Sequence, residues 1–195
     1  METHFGRRAR ALPLSGEQRN LILGSVLGDG YLMRTTSGNC LRINHGVGQS
    51  IYVDWKYLRL REFVRTAPRQ SGKTYYFRTV THPELTELAS SFYCGERKGL
   101  PSLEPFEQWI SALTLAVWFM DDGARDGNQV RLNSQCFSVA EVAKLQDMLF
   151  ARFQIRSTLN SDKGRPRIRI AASSMDVFRQ HVRPHILPEF LYKLP

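Results

Sequence analysis

Three things are scarce in this chain: cysteine, lysine and uninterrupted apolar sequence. The three cysteines, Cys40, Cys94 and Cys136, lie far apart. An odd number without C-x-x-C spacing argues against a disulfide framework and against a structural zinc site, which leaves small buried or half-buried thiols as the ordinary reading. His181 and His185 are four apart on an expected helix. A catalytic zinc site uses three protein ligands, and no third is visible, so the pair reads as packing or surface. No apolar run approaches the roughly 20 residues that span a bilayer. The basic residues 1–10 are not followed by a long apolar core and a small-residue cleavage site, so they read as a mobile arm rather than a signal peptide. An intracellular protein with no membrane partner is expected.

Acidic residues are also in deficit, 18 Asp and Glu against 27 Lys and Arg, for a net charge of +9 and a pI near 9.8. That balance points to a polyanion, most commonly nucleic acid, whose phosphates release counterions when neutralised. The excess is built from 21 Arg and only 6 Lys. Arginine favours bidentate contact with phosphate and with guanine edges. What remains is an ordinary globular composition, 42% hydrophobic and 23% charged, long enough for one good core or two small ones.

The chain repeats itself. Leu21-Ile22-Leu23-Gly24-Ser25-Val26-Leu27-Gly28-Asp29-Gly30 ends as does Thr114-Leu115-Ala116-Val117-Trp118-Phe119-Met120-Asp121-Asp122-Gly123, and Asp29 and Asp122 are 93 residues apart. Polar–apolar alternation follows each segment, over residues 41–45 and 129–135. Next come amphipathic stretches, residues 50–65 with Tyr52, Trp55, Leu58 and Phe63 read as apolar face, and residues 138–153 with Val142, Leu145, Leu149 and Phe153. The period near 3.6 predicts helices. Hairpin signals follow at Ser71-Gly72-Lys73 and Ser161-Asp162-Lys163-Gly164, then further helices over 83–92 and 175–182. Each half ends on a lysine near a proline, Lys98 and Lys193, 69 and 71 residues after its Asp. The expected organisation is a basic arm over 1–17, one repeat over 18–94, a linker over 95–111 and a second repeat over 112–195.

Paired aspartates suit phosphodiester hydrolysis. The reaction needs an activated water and charge stabilisation at the leaving oxygen, and Mg²⁺, which takes hard oxygen ligands and keeps several waters, supplies both. Gly24 and Gly28, four apart, open a smooth helix face that another backbone can approach. Packing of the two segments against each other would bring Asp29 and Asp122 together, where a cation relieves their repulsion.

The two segments resemble degenerate copies of the LAGLIDADG motif of homing endonucleases, with Asp29 and Asp122 at its penultimate position, and the likeness extends from about Gln18 to the end. The resemblance implies an α+β fold of two αββαββα repeats, with paired motif helices between them and saddle-shaped sheets over DNA. It implies metal-binding catalytic roles for Asp29 and Asp122, backbone metal contacts from Gly28 and Asp121, and basic residues near the scissile phosphates in Lys98 and Lys193. Gln135 and His45 match positions where that family carries water-positioning groups. Val117 departs from the motif's first Gly, and Leu27 and Met120 from its acidic residue; neither departure touches the penultimate Asp. Implied with these are Mg²⁺ as cofactor, Mn²⁺ as a substitute, Ca²⁺ as an occupant that does not support cutting, and a monomer acting on double-stranded DNA in a bacterial cytoplasm or an organelle.

Strand periodicity adds a reading surface. Gln129, Arg131, Asn133 and Gln135 share one face, with Val130 and Leu132 on the other; Arg165, Arg167 and Arg169 alternate with Pro166, Ile168 and Ile170; Arg42 and Asn44 alternate with Leu41 and Ile43, and Tyr76 and Arg78 with Tyr75 and Phe77. Arg, Asn and Gln are the side chains that read base edges. Like charges along one face would repel without an anionic partner. Arg34 joins this set, and Lys73, Lys163, Arg125 and the basic arm are expected on phosphates. Two other activities fit the same scaffold: an RNA maturase acting on intron RNA, which needs neither Asp, and a DNA-binding regulator that does not cut.

Overall fold

In the computed structural model, residues 3–95, 97–100 and 102–195 are described. Met1, Glu2, Glu96 and Pro101 lie outside the described residues, as does the side chain of Cys94, one of the three thiols. The chain divides into two compact units, Met1–Ser90 and Ser91–Pro195. The first contains α1 (His4–Ala11), α2 (Gly16–Leu27), β1 (Tyr31–Thr35), β2 (Gly38–Gly46), α3 (Ser50–Leu60), β3 (Arg69–Ser71), β4 (Thr74–Arg78) and α4 (Pro83–Phe92), at whose end the division falls. The second contains the small hairpin β5 (Tyr93–Cys94) and β6 (Arg97–Lys98), then α5 (Ala112–Asp122), β7 (Gly123–Asp126), β8 (Gln129–Leu132), α6 (Val139–Phe153), β9 (Ser157–Asp162), β10 (Arg165–Ile170), α7 (Met175–Val182) and a closing 3-10 turn, Pro188–Lys193.

Each unit carries one four-stranded antiparallel sheet, in the orders β1-β2-β4-β3 and β7-β8-β10-β9. The αββαββα pattern expected of both halves is present. Among the described residues no helix is long and apolar enough to cross a membrane.

Local chemistry accounts for the elements. Both motif helices open on a capping box, Ser15 with Gln18 and Ser111 with Thr114; α6 opens on a third, Ser138 with Glu141. Each box satisfies two N–H groups that a helix start would leave bare, and loss of such a cap costs about 1 kcal/mol. Residues 21–27 of α2 and 113–120 of α5 are buried on every side, so neither helix shows a solvated stripe over that length. The β9–β10 turn places Lys163 (φ 50) and Gly164 (φ 78) in the left-handed region, as a two-residue hairpin loop with the strands' twist demands.

The structure departs from the sequence reading in three places. Residues 4–11 form a docked helix rather than a mobile arm. Gly6 and Ala9 are buried, the Arg10 guanidinium donates to Thr81 Oγ1, His82 Nε2 donates to the Leu12 carbonyl at 3.0 Å, and the Leu14 amide donates to Glu84 at 3.1 Å. The segment expected as a linker holds β6, paired with β5 just before it, and a 3-10 turn, Glu104–Trp109, with Phe106 and Trp109 buried. On α3 the buried stripe is Tyr52, Val53, Lys56 and Leu60; Leu58, expected inside, is exposed, and Trp55 is half-buried beneath the Arg59 guanidinium, 4.0 Å from its ring centroid. The α6 stripe of Val142, Leu145, Leu149 and Phe153 is buried as read.

Candidate active site and nucleic-acid face

Both Asp-Gly pairs lie at the C-terminal end of a motif helix. The Gly30 amide donates to the Ser25 carbonyl at 2.6 Å, and a Cβ on Gly30 would sit 2.6 Å from that same oxygen. A Cβ on Gly123 would sit 2.1 Å from Phe119 Cδ2 and 2.4 Å from the Phe119 carbonyl oxygen. The chain leaves each helix so tightly that only glycine fits after the aspartate. The negative end of a helix disfavours a carboxylate and favours a cation, so each aspartate stands where an added positive charge is stabilised.

In the first unit, Asp29 is half-exposed, and His45 Nδ1 lies 3.8 Å from its Oδ2. His45 is buried on β2, facing the helix side of the sheet. Its ring lies 5.2 Å from that of Tyr52, and the Lys56 ammonium sits 4.3 Å from the Tyr52 ring centroid. Lys56 is fully buried. It was not singled out in the sequence; the available signal was its place in the i, i+3, i+4 stripe of Tyr52, Val53 and Leu60. Beside Asp29 opens a groove of about 480 Å³, lined by Asp29, Tyr31, Arg42, Asn44, His45 and Gln49 among others.

In the second unit, the Lys193 ammonium donates to the Met120 carbonyl at 2.6 Å, a cation on the last turn of α5. Lys98 also lies in this unit, 5.7 Å from the Phe137 ring centroid. Partial desolvation pushes the Cys136 thiol up although the residue is exposed; the Lys98 charge opposes that shift and the Asp122 carboxylate adds to it, so lysine and aspartate act on one neighbourhood. Glu141 fixes the segment that carries Lys98. Its carboxylate accepts from Arg97 Nη2 at 2.9 Å, from the Leu100 amide at 2.9 Å and from the Ser138 amide at 2.6 Å. Nothing in the sequence linked Glu141 to Lys98; its capping-box spacing relates it only to Ser138.

The donor set suits a hard divalent cation. Each half offers one aspartate carboxylate with backbone carbonyls at a helix end. Among the described residues no group of three His, Cys, Asp or Glu gathers. One carboxylate plus carbonyl and water is the coordination that Mg²⁺ accepts.

Strand register sorts the remaining candidates. Tyr31 pairs with Arg42, Arg42 with Arg78, Asn44 with Tyr76 and Arg69 with Tyr76. Directly paired residues share a face, so these six form one surface. Arg42 and Arg69 both bear on the Tyr76 ring, at 5.2 and 5.3 Å; Arg69 went unnoticed in the sequence because the three-residue strand β3 is too short to show alternation. Arg34 pairs with Asn39 and shares the face of Leu32 and Leu41 instead. In the second unit Arg131 pairs with Arg169, with Arg167 and Arg165 on the same side. Arg125 pairs with Val130 on the other side, its Nε donating to the Gly127 carbonyl at 3.1 Å. Strand β8 ends at Leu132, short of Asn133 and Gln135, although exposure still alternates through Gln135. Gln129 Nε2 donates to the Ile170 carbonyl at 2.7 Å, and Gln135 Nε2 to Asp162 at 3.3 Å. Lys73 and Lys163 stand exposed at the two hairpin tips.

The like charges of the second face do not stand unopposed, contrary to the sequence argument. Asp126 lies 3.1 Å from Arg169 and 3.8 Å from Arg131, and Asp162 lies 3.5 Å from Arg167. These carboxylates hold the guanidinium groups in fixed positions.

The chain is similar to known proteins along most of its length. The family model described as LAGLIDADG DNA endonuclease matches residues 19–178. The DNA endonuclease I-ChuI of Chlamydomonas applanata is 27% identical, over 94% of this chain and 96% of its own length. The cytochrome b mRNA maturase bI2 of Debaryomyces hansenii is 26% identical over 93% of this chain and 75% of its own; of the Saccharomyces cerevisiae protein of that name this chain spans about half, 48%. Among solved structures, the homing endonuclease I-WcaI bound to its DNA recognition sequence superposes with a TM-score of 0.85 at 25% identity, over 97% of this chain and 91% of that one.

Proposed function

We propose that this chain, which belongs to the LAGLIDADG DNA endonuclease family, cuts both strands of a specific DNA site, each of its two aspartate sites serving one strand. The observation that carries the reading is the pair of Asp-Gly helix ends, each in a unit whose sheet presents arginine and amide side chains on one face. Likeness over nearly its whole length to an endonuclease supports it.

Asp29 with the Gly28 carbonyl, and Asp122 with the Asp121 carbonyl, would hold divalent cations. Mg²⁺ is the expected ion, with Mn²⁺ able to replace it and Ca²⁺ occupying without cutting. Such an ion lowers the pKa of bound water and polarises the phosphoryl group. The chain's own residues do the rest. Asp29 and Asp122 fix the negative end of each site. His45 and Gln135 orient the attacking water. Lys98 and Lys193 offset charge that accumulates on the scissile phosphates. Arg42, Asn44, Tyr76 and Arg78 in one unit, and Gln129, Arg131, Asn133, Arg165, Arg167 and Arg169 in the other, read base edges. Lys73 and Lys163, at the hairpin tips, hold the backbone, as do Arg34 and Arg125. The protein acts as a monomer, in a bacterial cytoplasm or an organelle, and its biological role is intron homing.

A second reading has its own support: relatives named as mRNA maturases. One experiment separates them. The intron-lacking allele of the host gene is incubated with the protein in Mg²⁺ and in EDTA. Double-strand cutting at the junction in Mg²⁺ alone is expected, and Asp29→Asn or Asp122→Asn should lower it by roughly a hundredfold or more, the scale of losing one transition-state charge partner, with DNA binding kept. Binding without cutting, joined to tight binding of the intron RNA, would move the assignment to a maturase.

A further inference from the structure

Residues 133–135 follow β8 in the second unit and are tied on both sides. The Asn133 amide donates to the Asp122 carbonyl at 3.0 Å. The buried Ser134 hydroxyl donates to the Pro166 carbonyl on β10 at 3.2 Å. The Gln135 carboxamide donates through Nε2 to Asp162 Oδ2 at 3.3 Å. A short strap thus joins the backbone of Asp122 to the β9–β10 hairpin.

Asp162 shares that oxygen with a second donor: Arg167 Nη1 lies 3.5 Å from it. Asp162 stands opposite Arg165 in the β9–β10 register, one diagonal from Arg167. Arg167 is more covered than the other paired arginines of this face, with 16% of its side chain exposed against 31% for Arg131 and 38% for Arg169. A covered guanidinium has little room to swing, so it braces the carboxylate, and the carboxylate fixes the amide. An ionised carboxylate accepts hydrogen bonds and donates none. It therefore selects one orientation of Gln135: the amide NH₂ faces Asp162, and Oε1, the acceptor, is turned away from it. An acceptor held in one place is what orients a water for attack. Asp126 lies on the same face, but among the described residues its carboxylate pairs only with arginines, Arg131 and Arg169.

We propose that Asp162 is a positioning residue for cutting: it holds the Gln135 carboxamide in the water-orienting attitude and, through its Arg167 brace, links the state of the reading face to the cut made at the Asp122 site. The inference rests on the DNA-cleaving reading and deepens it, because it makes one carboxylate serve one strand. Asp126, in the corresponding place on the β7–β8 hairpin, serves the reading face alone.

The test uses the full chain and a duplex recovered from a randomised DNA pool by its cutting in Mg²⁺, with each strand labelled separately and rates taken at saturating protein. Gln135→Ala should slow one strand more than the other. Asp162→Ala should slow that same strand by roughly ten- to a hundredfold, the scale for losing a group that orients a catalytic one. The double variant should cut that strand no more slowly than Gln135→Ala does, since a residue that acts through another adds nothing once the other is gone. Arg167→Ala, which removes the brace, should shift the strand ratio in the same direction. Asp126→Ala is the control and should keep the wild-type ratio. A general loss of structure lowers both strands together and leaves the ratio unmoved. An unchanged ratio in Asp162→Ala or in Arg167→Ala, effects that multiply in the double variant, or the same shift in Asp126→Ala would overturn the positioning role while leaving the endonuclease reading standing. Failure of the wild type to cut any duplex would overturn both.

Discussion

His45 Nδ1 stands 3.8 Å from Asp29 Oδ2, with the histidine buried and the carboxylate open to solvent. The histidine is held in place by β2 and the Tyr52 ring, and the aspartate is the more exposed of the two. Partners of this kind orient a metal-binding carboxylate, and their loss typically costs ten- to a hundredfold in affinity or rate. His45→Ala is therefore expected to lower the rate of cutting by about that factor while changing duplex affinity little. Measuring rate at saturating DNA separates the two; an equal loss in binding would assign His45 to DNA contact instead.

Lys56 lies behind that pair. A fully buried ammonium is costly unless its surroundings repay it, and the Tyr52 ring at 4.3 Å supplies part of that, on the order of 2 kcal/mol for a desolvated cation–π contact. Lys56→Met keeps the shape and removes the charge. Cutting should fall because Tyr52 and His45 lose their cationic neighbour. A marked drop in melting temperature with full activity would make Lys56 a purely structural residue.

Glu141 gives a pH prediction for the second unit. Burial pushes its carboxyl up, but the hydrogen bonds from Ser138 and the Leu100 amide, with the Arg97 charge, outweigh burial and hold it below its ordinary value of 4.5. The folded state thus prefers the ionised form. Its stabilisation is fully present above the ordinary carboxylate range and is lost as pH falls through the lowered value. Glu141→Gln should cost about 1.5–3 kcal/mol at neutral pH, the range for hydrogen bonds to a charged group. It should also flatten the loss of stability on acidification below about pH 4.5. Denaturant titrations of both proteins across that window check this. Cutting should fall as well, because the segment holding Lys98 is tied to Glu141.

The same residues show what a sequence can and cannot reveal. Helix α6 was legible because its four apolar positions fall on one stripe and its cap is local. The α3 stripe was misplaced by one step because hydrophobicity counts Leu58 as inside and Lys56 as outside, whereas packing against the sheet chose otherwise. Asp29 and Asp122 stood out through repetition, not through any feature of either alone. The face of Arg34 depends on the β1–β2 register, and the surroundings of Lys98 depend on Glu141, 41 to 44 residues from the backbone and side chain it holds. Such long-range pairing leaves no periodic trace. The neutralising roles of Asp126 and Asp162 were hidden for the same reason: each is an ordinary turn residue until the strands meet.

The glycine after each aspartate allows a test of geometry apart from charge. Gly123→Ala would place a methyl 2.1 Å from the Phe119 ring and 2.4 Å from the Phe119 carbonyl oxygen. The backbone must move to admit it, since overpacking of this kind costs about 1–3 kcal/mol, and the movement falls on Asp122, the adjacent residue. Gly127→Ala is the comparison. Its φ of +63° strains an added side chain, yet no atom lies within 4 Å of the new Cβ, and it is four residues further from the acid. Both variants should lose stability by amounts of the same order, measured by denaturation. Only Gly123→Ala should lose cutting beyond what its stability explains, because an aspartate displaced by a fraction of an ångström no longer meets its ligand and the scissile phosphate in line. Equal activity in the two variants, each assayed well below its melting temperature, would show that the tight exit from α5 serves the fold and leaves the placement of Asp122 to other contacts.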